Sequence, residues 1–346
     1  MRRILDNIVP PTSGQRFPAL DGLRGVAILS ITALHIWSVA HCPPTVFAPL
    51  LAAGSLGPSI FFAISGFMLY VSYVRDPDAL RFYRRRAWRL IPPYYVAVLV
   101  WWVISPDHSP QQVLTHLTFT HGFALDTLGG LSLPLWFIAP LVHFYLLFPF
   151  IATAMRRWPV PVACIAFGIS IAAQVLGGTL WQRSLPGHIG ECVLGMYAAY
   201  LVASGHAPRI PAWFRRVAVA AAVTAPFVLF ALRPVAQPPF WYWPSALYAP
   251  VWAGLLIISA TSSISARTLS VAPLRAIGRV SYSLYLYNLV GSALAPGAIW
   301  PVQLLITASV TLAAYPLEQS ARYLKQVHRL IRAVLAYPTV ADGARR

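Results

Sequence analysis

Residues 16–35 read RFPALDGLRGVAILSITALH, and the rest of the chain is arranged around this stretch. Three charges, Arg16, Asp21 and Arg24, stand at one end. An unbroken apolar run follows, carrying a single ionisable residue, His35. At ~100° per residue the 11 residues from Arg24 to His35 make about three full turns, so both side chains fall on one helix face, roughly 16 Å apart along the axis. The bland reading makes Arg24 an interfacial anchor and His35 a packed core residue. An ionisable group inside an apolar span is expensive and as a rule faces a cavity or a relay. The stretch is therefore read as a functional helix, able to hold two ends of one long ligand.

Composition supports a membrane setting. The 346 residues are 58% hydrophobic and 10% charged, with a mean hydropathy of +0.64; a soluble domain carries about a quarter charged residues. The first apolar run is too long for a cleavable signal and no small-residue cleavage site follows it, so it is read as a retained span. The net charge of +17 invites a nucleic-acid partner. Its distribution argues against one, because the basic residues sit between hydrophobic spans, as membrane orientation requires. Cys42, Cys164 and Cys192 are scattered without metal spacing.

Ten spans can be drawn, at 20–40, 50–74, 91–105, 134–154, 159–178, 188–204, 216–232, 243–263, 277–294 and 299–317. Several fall short of the ~20 residues that cross a bilayer comfortably. With both termini on the cytoplasmic side, 24 of the 26 basic residues lie inside, and only Arg183 and Arg233 lie outside. The expected fold is an all-α polytopic membrane protein of about ten transmembrane helices. A cytoplasmic tail (1–15) precedes one membrane domain (16–318), and an amphipathic cytoplasmic tail (319–346) follows, with Glu318, Arg322 and Lys325 at helical spacing. A cavity bounded by spans 1, 2, 4 and 9 is expected.

Between the third and fourth spans, the loop 105–134 holds Asp107, His108, His116, His121 and Asp126. The spacings match no standard metal site, so these are read as solvated polar residues, and no metal is expected. The stretch PPFWYWP at 238–244 suits an interfacial aromatic belt or a lip that stacks on sugar rings. Six arginines fall between Arg75 and Arg89, within and around RFYRRRAWRLIPPYY (81–95), with Arg86 and Arg89 one turn apart. Their planar forks suit phosphate oxygens; a helix lying on anionic headgroups is the alternative. The Ser65-Gly66 pair in FFAISGFMLY allows a close backbone approach or a kink, and Tyr282, Tyr285, Tyr287 and Asn288 in SYSLYLYN are consistent with a polar cavity wall. His143 and Glu191 are further ionisable residues within apolar runs, and His188 at i−3 is a partner for Glu191.

Taken in order, RFPALDGLRGVAILSITALH, FFAISGFMLY, FYRRRAWRLIPPYY, LWFIAPLVHFYLLFP, ECVLGMYAAYL, SYSLYLYN and YPLEQSARYL resemble the membrane O-acyltransferases of acyltransferase family 3, from Arg16 to about Leu324. The resemblance implies transfer of an acyl group, usually acetyl from acetyl-CoA as co-substrate, to a hydroxyl of an exported or surface glycan. The setting it implies is a bacterial inner membrane, with lipid, acyl-CoA and a glycan or lipid-linked oligosaccharide as partners. Arg24 and His35 match the family's catalytic Arg-x10-His pair. Arg86 and Arg89, with Arg84 or Arg85, match the arginines assigned to the CoA phosphates. Ser65, Tyr282, Tyr285 and Asn288 become candidates for oxyanion or acceptor hydrogen bonds. A macrolide or other glycosylated metabolite is an alternative acceptor, and a transporter or flippase of an anionic lipid or glycan is the non-enzyme alternative. The sequence departs from the family at Ala139-Pro140-Leu141, where a Ser-x-Glu is common, and at Asn288, where a His is common.

Overall fold

The computed structural model describes residues 17–39, 53–207, 211, 213, 245–261 and 267–335. Every regular element among them is helical. The principal helices are α1 (Pro18–Val39), α2 (Gly57–Arg75), α3 (Ala79–Ile104), α4 (Pro110–Leu117), α5 (Ile138–Arg157) and α6 (Pro159–Leu176). They continue with α7 (Thr179–Gln182), α8 (Leu185–Ser204), α9 (Ala249–Thr261), α10 (Ala272–Tyr287), α11 (Val290–Leu294) and α12 (Trp300–Leu335). Helices α1, α2, α3, α5 and α6, some with their adjoining turns, are long and apolar enough to cross a membrane. The expected span 216–232, the aromatic stretch 238–244, Cys42 and the N-terminal tail lie outside the described residues.

Burial sorts the helices. α8 is the central one, buried along most of its length from Leu185 to Ala203. α6 has Ile165, Ile169, Val175 and Leu176 exposed on a helix with no charged residue, as suits a surface turned to lipid tails. Two small-residue crossings hold the bundle. A Cβ on Gly66 would run into the carbonyl of Cys192, and one on Gly195 into the carbonyl of Ala63, so α2 and α8 meet backbone to backbone. α1 and α10 meet in the same way, with Gly278 against the carbonyl of Asp21 and Gly25 against that of Leu274. Asp21 then lies beside Gly278 and His35 beside Asn288, so the two helices run side by side in one direction.

Three boundaries differ from the sequence reading. The third span and the arginine block form one helix, α3, because Asp78 caps it by accepting from the backbone N–H of Arg81 at 2.8 Å. The ninth span is broken. α10 ends at Asn288, whose Nδ2 donates to the carbonyl of Tyr285 at 3.0 Å, a side-chain bond that competes with helix continuation. The tenth span and the tail as far as Leu335 are one 36-residue helix, α12, with Pro316 inside it.

Candidate functional site

α1 carries the site. Its close approach to α10 through Gly25 and Gly278 sets a row of α10 side chains against the Arg24–His35 face. Two cavities open along that face, and they share one residue, Tyr285.

The first, of about 110 Å³, is walled by arginines. Arg24 comes from α1, Arg86 and Arg89 from α3, and Arg279 from α10. Ser65 and Met68 come from α2, Tyr145 from α5 and Glu318 from α12. Arg24 is held 3.7 Å from Asp21, one turn before it on α1. Glu318 is buried and accepts from Ser283 Oγ at 2.9 Å. The expected spans 1, 2, 4 and 9 are all present here, joined by α3 and α12. Arg84 and Arg85 do not line this cavity: Arg84 is exposed, and Arg85 pairs with Asp76 before the α3 N-terminus. Arg279 was counted in the sequence only as an orienting charge. Its signal was its place one turn before Tyr282 on the polar stripe of α10.

The second cavity, of about 70 Å³, holds His35 and His188, with Ser59, Gln174, Gln182, Arg183, Ser245, Trp136 and Tyr285 among its walls. His35 is 7% exposed, and its Nδ1 lies 3.0 Å from Asn288 Oδ1. Since Nδ2 of Asn288 is already donated to Tyr285, the atom facing His35 is an acceptor, so Nδ1 must carry the imidazole hydrogen. Nε2 then keeps its lone pair, makes no hydrogen bond among the described residues and belongs to a side chain that lines the cavity.

The other sequence candidates fall as follows. Tyr282 donates its hydroxyl proton to the carbonyl of Leu90 at 2.9 Å, and Tyr285 to that of Pro134 at 2.6 Å. Both can accept a further bond, but neither proton points at a cavity. Ser65 lines the arginine cavity. Asn288 is 1% exposed and touches His35 rather than either cavity. The stretch at Ala139-Pro140-Leu141 is buried at the start of α5, and only Leu141 reaches the arginine cavity.

In the 105–134 loop Asp107, His108 and Asp126 are exposed, as expected of solvated residues, but His116 and His121 are not. His116 and His121 are fully buried and stack ring on ring, with centroids 4.1 Å apart and an angle of 2°. Their Nδ1 and Nε2 donate to the carbonyls of Gln112 and Leu135 at 2.7 and 3.1 Å. Burial pushes His116 down to about 4 and His121 to about 3. His143 is half-buried against Phe123, with ring centroids 5.1 Å apart. Cys164 and Cys192 are free.

Fold and cavities define a class, a helical membrane protein with a polar site buried inside its bundle. The chain belongs to the acyltransferase family 3, whose acyltransferase domain matches residues 17–318. It is similar to the O-acetyltransferase OatA of Staphylococcus aureus, 26% identical over 80% of this chain and 50% of that protein. The peptidoglycan O-acetyltransferase OatA of Listeria monocytogenes is 25% identical over 78% of this chain and 48% of its own. The acyltransferase MdmB of Streptomyces mycarofaciens is 28% identical over 55% of this chain and 58% of its own. The chain thus spans about half the length of the curated relatives it matches. No solved structure matches it.

Proposed function

We propose that this chain is a membrane O-acetyltransferase that moves acetyl from acetyl-CoA to a hydroxyl of an exported or envelope glycan. The carrying observation is the pair of cavities on one helix face, arginine-walled at Arg24 and histidine-walled at His35, meeting at Tyr285. In this reading about ten spans cross a bacterial inner membrane with both termini cytoplasmic, and the arginine cavity faces the cytoplasm. Arg24, Arg86, Arg89 and Arg279 hold the CoA phosphates, because guanidinium forks match phosphate oxygens. The thioester then reaches past Tyr285 towards His35. The names of the two OatA relatives favour acetyl as the group, and peptidoglycan in the Listeria name favours a glycan acceptor.

An alcohol is a poor nucleophile until its proton is being removed. His35 Nε2 is the base: it takes the hydroxyl proton as the oxygen attacks the thioester carbonyl. The C–S bond breaks as the tetrahedral intermediate collapses, and the proton passes from His35 to the CoA sulfur. The alternative, transient acetylation of His35 itself, uses the same lone pair. Asn288 holds the ring in the tautomer that either step needs.

The test compares envelope polysaccharide from wild-type, deletion and His35→Ala cells by NMR. Acetyl methyl signals present in wild type and missing in the other two support the reading. Full acetylation by a stably inserted His35→Ala protein overturns it.

A further inference from the structure

His188 is the second imidazole of the histidine cavity, and its surroundings fix it more tightly than those of His35. It lies in the first turn of α8, with its ring stacked on Phe62 at 4.5 Å and tilted against Trp136 at 5.3 Å. Its Nδ1 is 3.2 Å from Oε1 of Glu191, one turn further along the same helix. Glu191 is 0% exposed. The same Oε1 accepts from Ser245 Oγ at 2.9 Å and from Ser59 Oγ at 3.2 Å.

These hydroxyls are themselves directed. Trp252 Nε1 donates to Ser59 Oγ at 3.0 Å and Gln174 Nε2 to Ser245 Oγ at 3.1 Å. Each serine therefore receives a hydrogen on its lone pair and turns its own proton to Glu191. An oxygen that collects such donors carries no proton of its own. Nδ1 of His188 must then be a donor too, and Nε2 keeps its lone pair. Nε2 makes no hydrogen bond among the described residues and belongs to a side chain that lines the cavity.

A buried carboxyl group is costly, and well-packed apolar residues hold a fold at least as well. Here side chains from α2, α6, α8, α9 and the turn before α9 converge to hold one ring on the cavity wall with its remaining nitrogen uncommitted among the described residues. The cavity thus offers two imidazole lone pairs, one backed by an amide and one by a carboxyl group. Arg183, Gln182 and Gln174 stand among its walls, and the Arg183 guanidinium lies 5.8 Å over the ring of Trp136.

Resting on the O-acetyltransferase reading above, the geometry points to His188, oriented by Glu191, as a residue that positions the acceptor. Its Nε2 accepts a hydrogen bond from a second hydroxyl of the acceptor, beside the hydroxyl that His35 deprotonates in the same cavity. The acceptor class is therefore one that carries more than one hydroxyl, as a sugar ring does. Glu191 makes Nε2 a stronger acceptor and holds the ring against rotation.

Inside-out membrane vesicles from cells expressing the full chain, supplied with labelled acetyl-CoA, report two products at once. Label in polymer measures transfer to the glycan; free labelled acetate measures transfer to water. In His188→Ala the polymer label should fall about tenfold or more, the loss of one hydrogen bond. Acetate release should be kept, since His35 still serves water. His188→Gln, whose amide oxygen can accept, should recover part of the polymer label, and Glu191→Asp more than Glu191→Ala. All variants are compared at equal amounts of inserted protein. Unchanged polymer label in His188→Ala overturns the inference, as does a parallel fall of both products in His188→Ala and His188→Gln. Absence of polymer label in the wild type instead overturns the O-acetyltransferase reading, and this inference with it.

Discussion

Oδ1 of Asn288 lies 3.0 Å from Nδ1 of His35, joining two residues 253 positions apart in the chain. That contact fixes the protonation pattern of the histidine, while the same side chain's Nδ2 bonds the carbonyl of Tyr285 where α10 ends. Asn288 therefore acts on the chemistry through His35. Asn288→Ala should lower transfer about tenfold to a hundredfold, the range for leaving a buried hydrogen-bonding partner unmet. Asn288→Asp keeps an acceptor on Nδ1 and should retain more activity than the alanine variant, and acetyl-CoA affinity should change in neither. Equal losses in both variants would show that the acceptor atom at 288 is irrelevant.

The arginine block divides into residues that face the cavity and residues that do not. Arg86 and Arg89 line it; Arg84 and Arg85 stand away from it. Arg86→Ala with Arg89→Ala should weaken CoA binding by at least ~1.5 kcal/mol, the lower range for charge-assisted contacts. Arg279→Ala should act in the same direction. Arg84→Ala should leave affinity unchanged, since its head is exposed to solvent or headgroups. Titration calorimetry on the detergent-solubilised chain would decide, and equal effects at all four positions would favour diffuse attraction to anionic headgroups.

Glycines at the α1–α10 crossing and on the outer face of α6 should respond with opposite signs. A Cβ at Gly278 meets the carbonyl of Asp21, whereas a Cβ at Gly168 meets nothing within 4 Å. Gly278→Ala must part the helices that carry Arg24 and His35, so both melting temperature and transfer should drop. Gly168→Ala gains helix propensity, worth up to ~1 kcal/mol, and should be neutral or mildly stabilising. A melt in detergent that finds Gly278→Ala as stable as wild type would contradict the backbone contact.

Much of this was legible in the residues. The 11-residue spacing put Arg24 and His35 on one face because helix periodicity needs no partner to be read. The same spacing could not say that the two residues open into different cavities. The dividing residue, Tyr285, comes from a helix about 250 positions away, and nothing local marks it as a wall. Arg86 and Arg89 were separable from Arg84 and Arg85 only by which face α3 turns inwards. Asn288 read as one more hydroxyl-line polar group, although an asparagine late in an apolar helix is also a signal for a break. His116 and His121 were misjudged because a histidine in a polar loop has no periodicity to betray its burial. Only the fold around Gln112 and Leu135 shows that both are sealed.

Those two histidines lead to a prediction about acid. Each donates one ring hydrogen to a backbone carbonyl, and the other nitrogen, Nε2 of His116 and Nδ1 of His121, is buried without a partner among the described residues. Adding a proton there would bury a charge with no carboxylate paired to it among the described residues. Burial accordingly holds His116 down at about 4 and His121 at about 3, against 6.5 when released. A depressed histidine means that the opened loop binds more protons than the closed one, so closure strengthens as pH rises. The contribution is complete above about pH 6.5. It is lost progressively as pH falls, through about 4 for His116 and about 3 for His121. Between pH 6 and 4.5 opening should take up close to two protons, raising the open fraction by up to about a hundredfold per pH unit. Hydrogen exchange of residues 110–137 in detergent should speed up over that interval beyond the intrinsic exchange trend, while α8 stays protected. His121→Phe keeps the stacked ring and removes one titrating nitrogen, so the apparent proton uptake should drop to about one. Exchange in the loop that is flat with pH would show that these rings do not govern its closure.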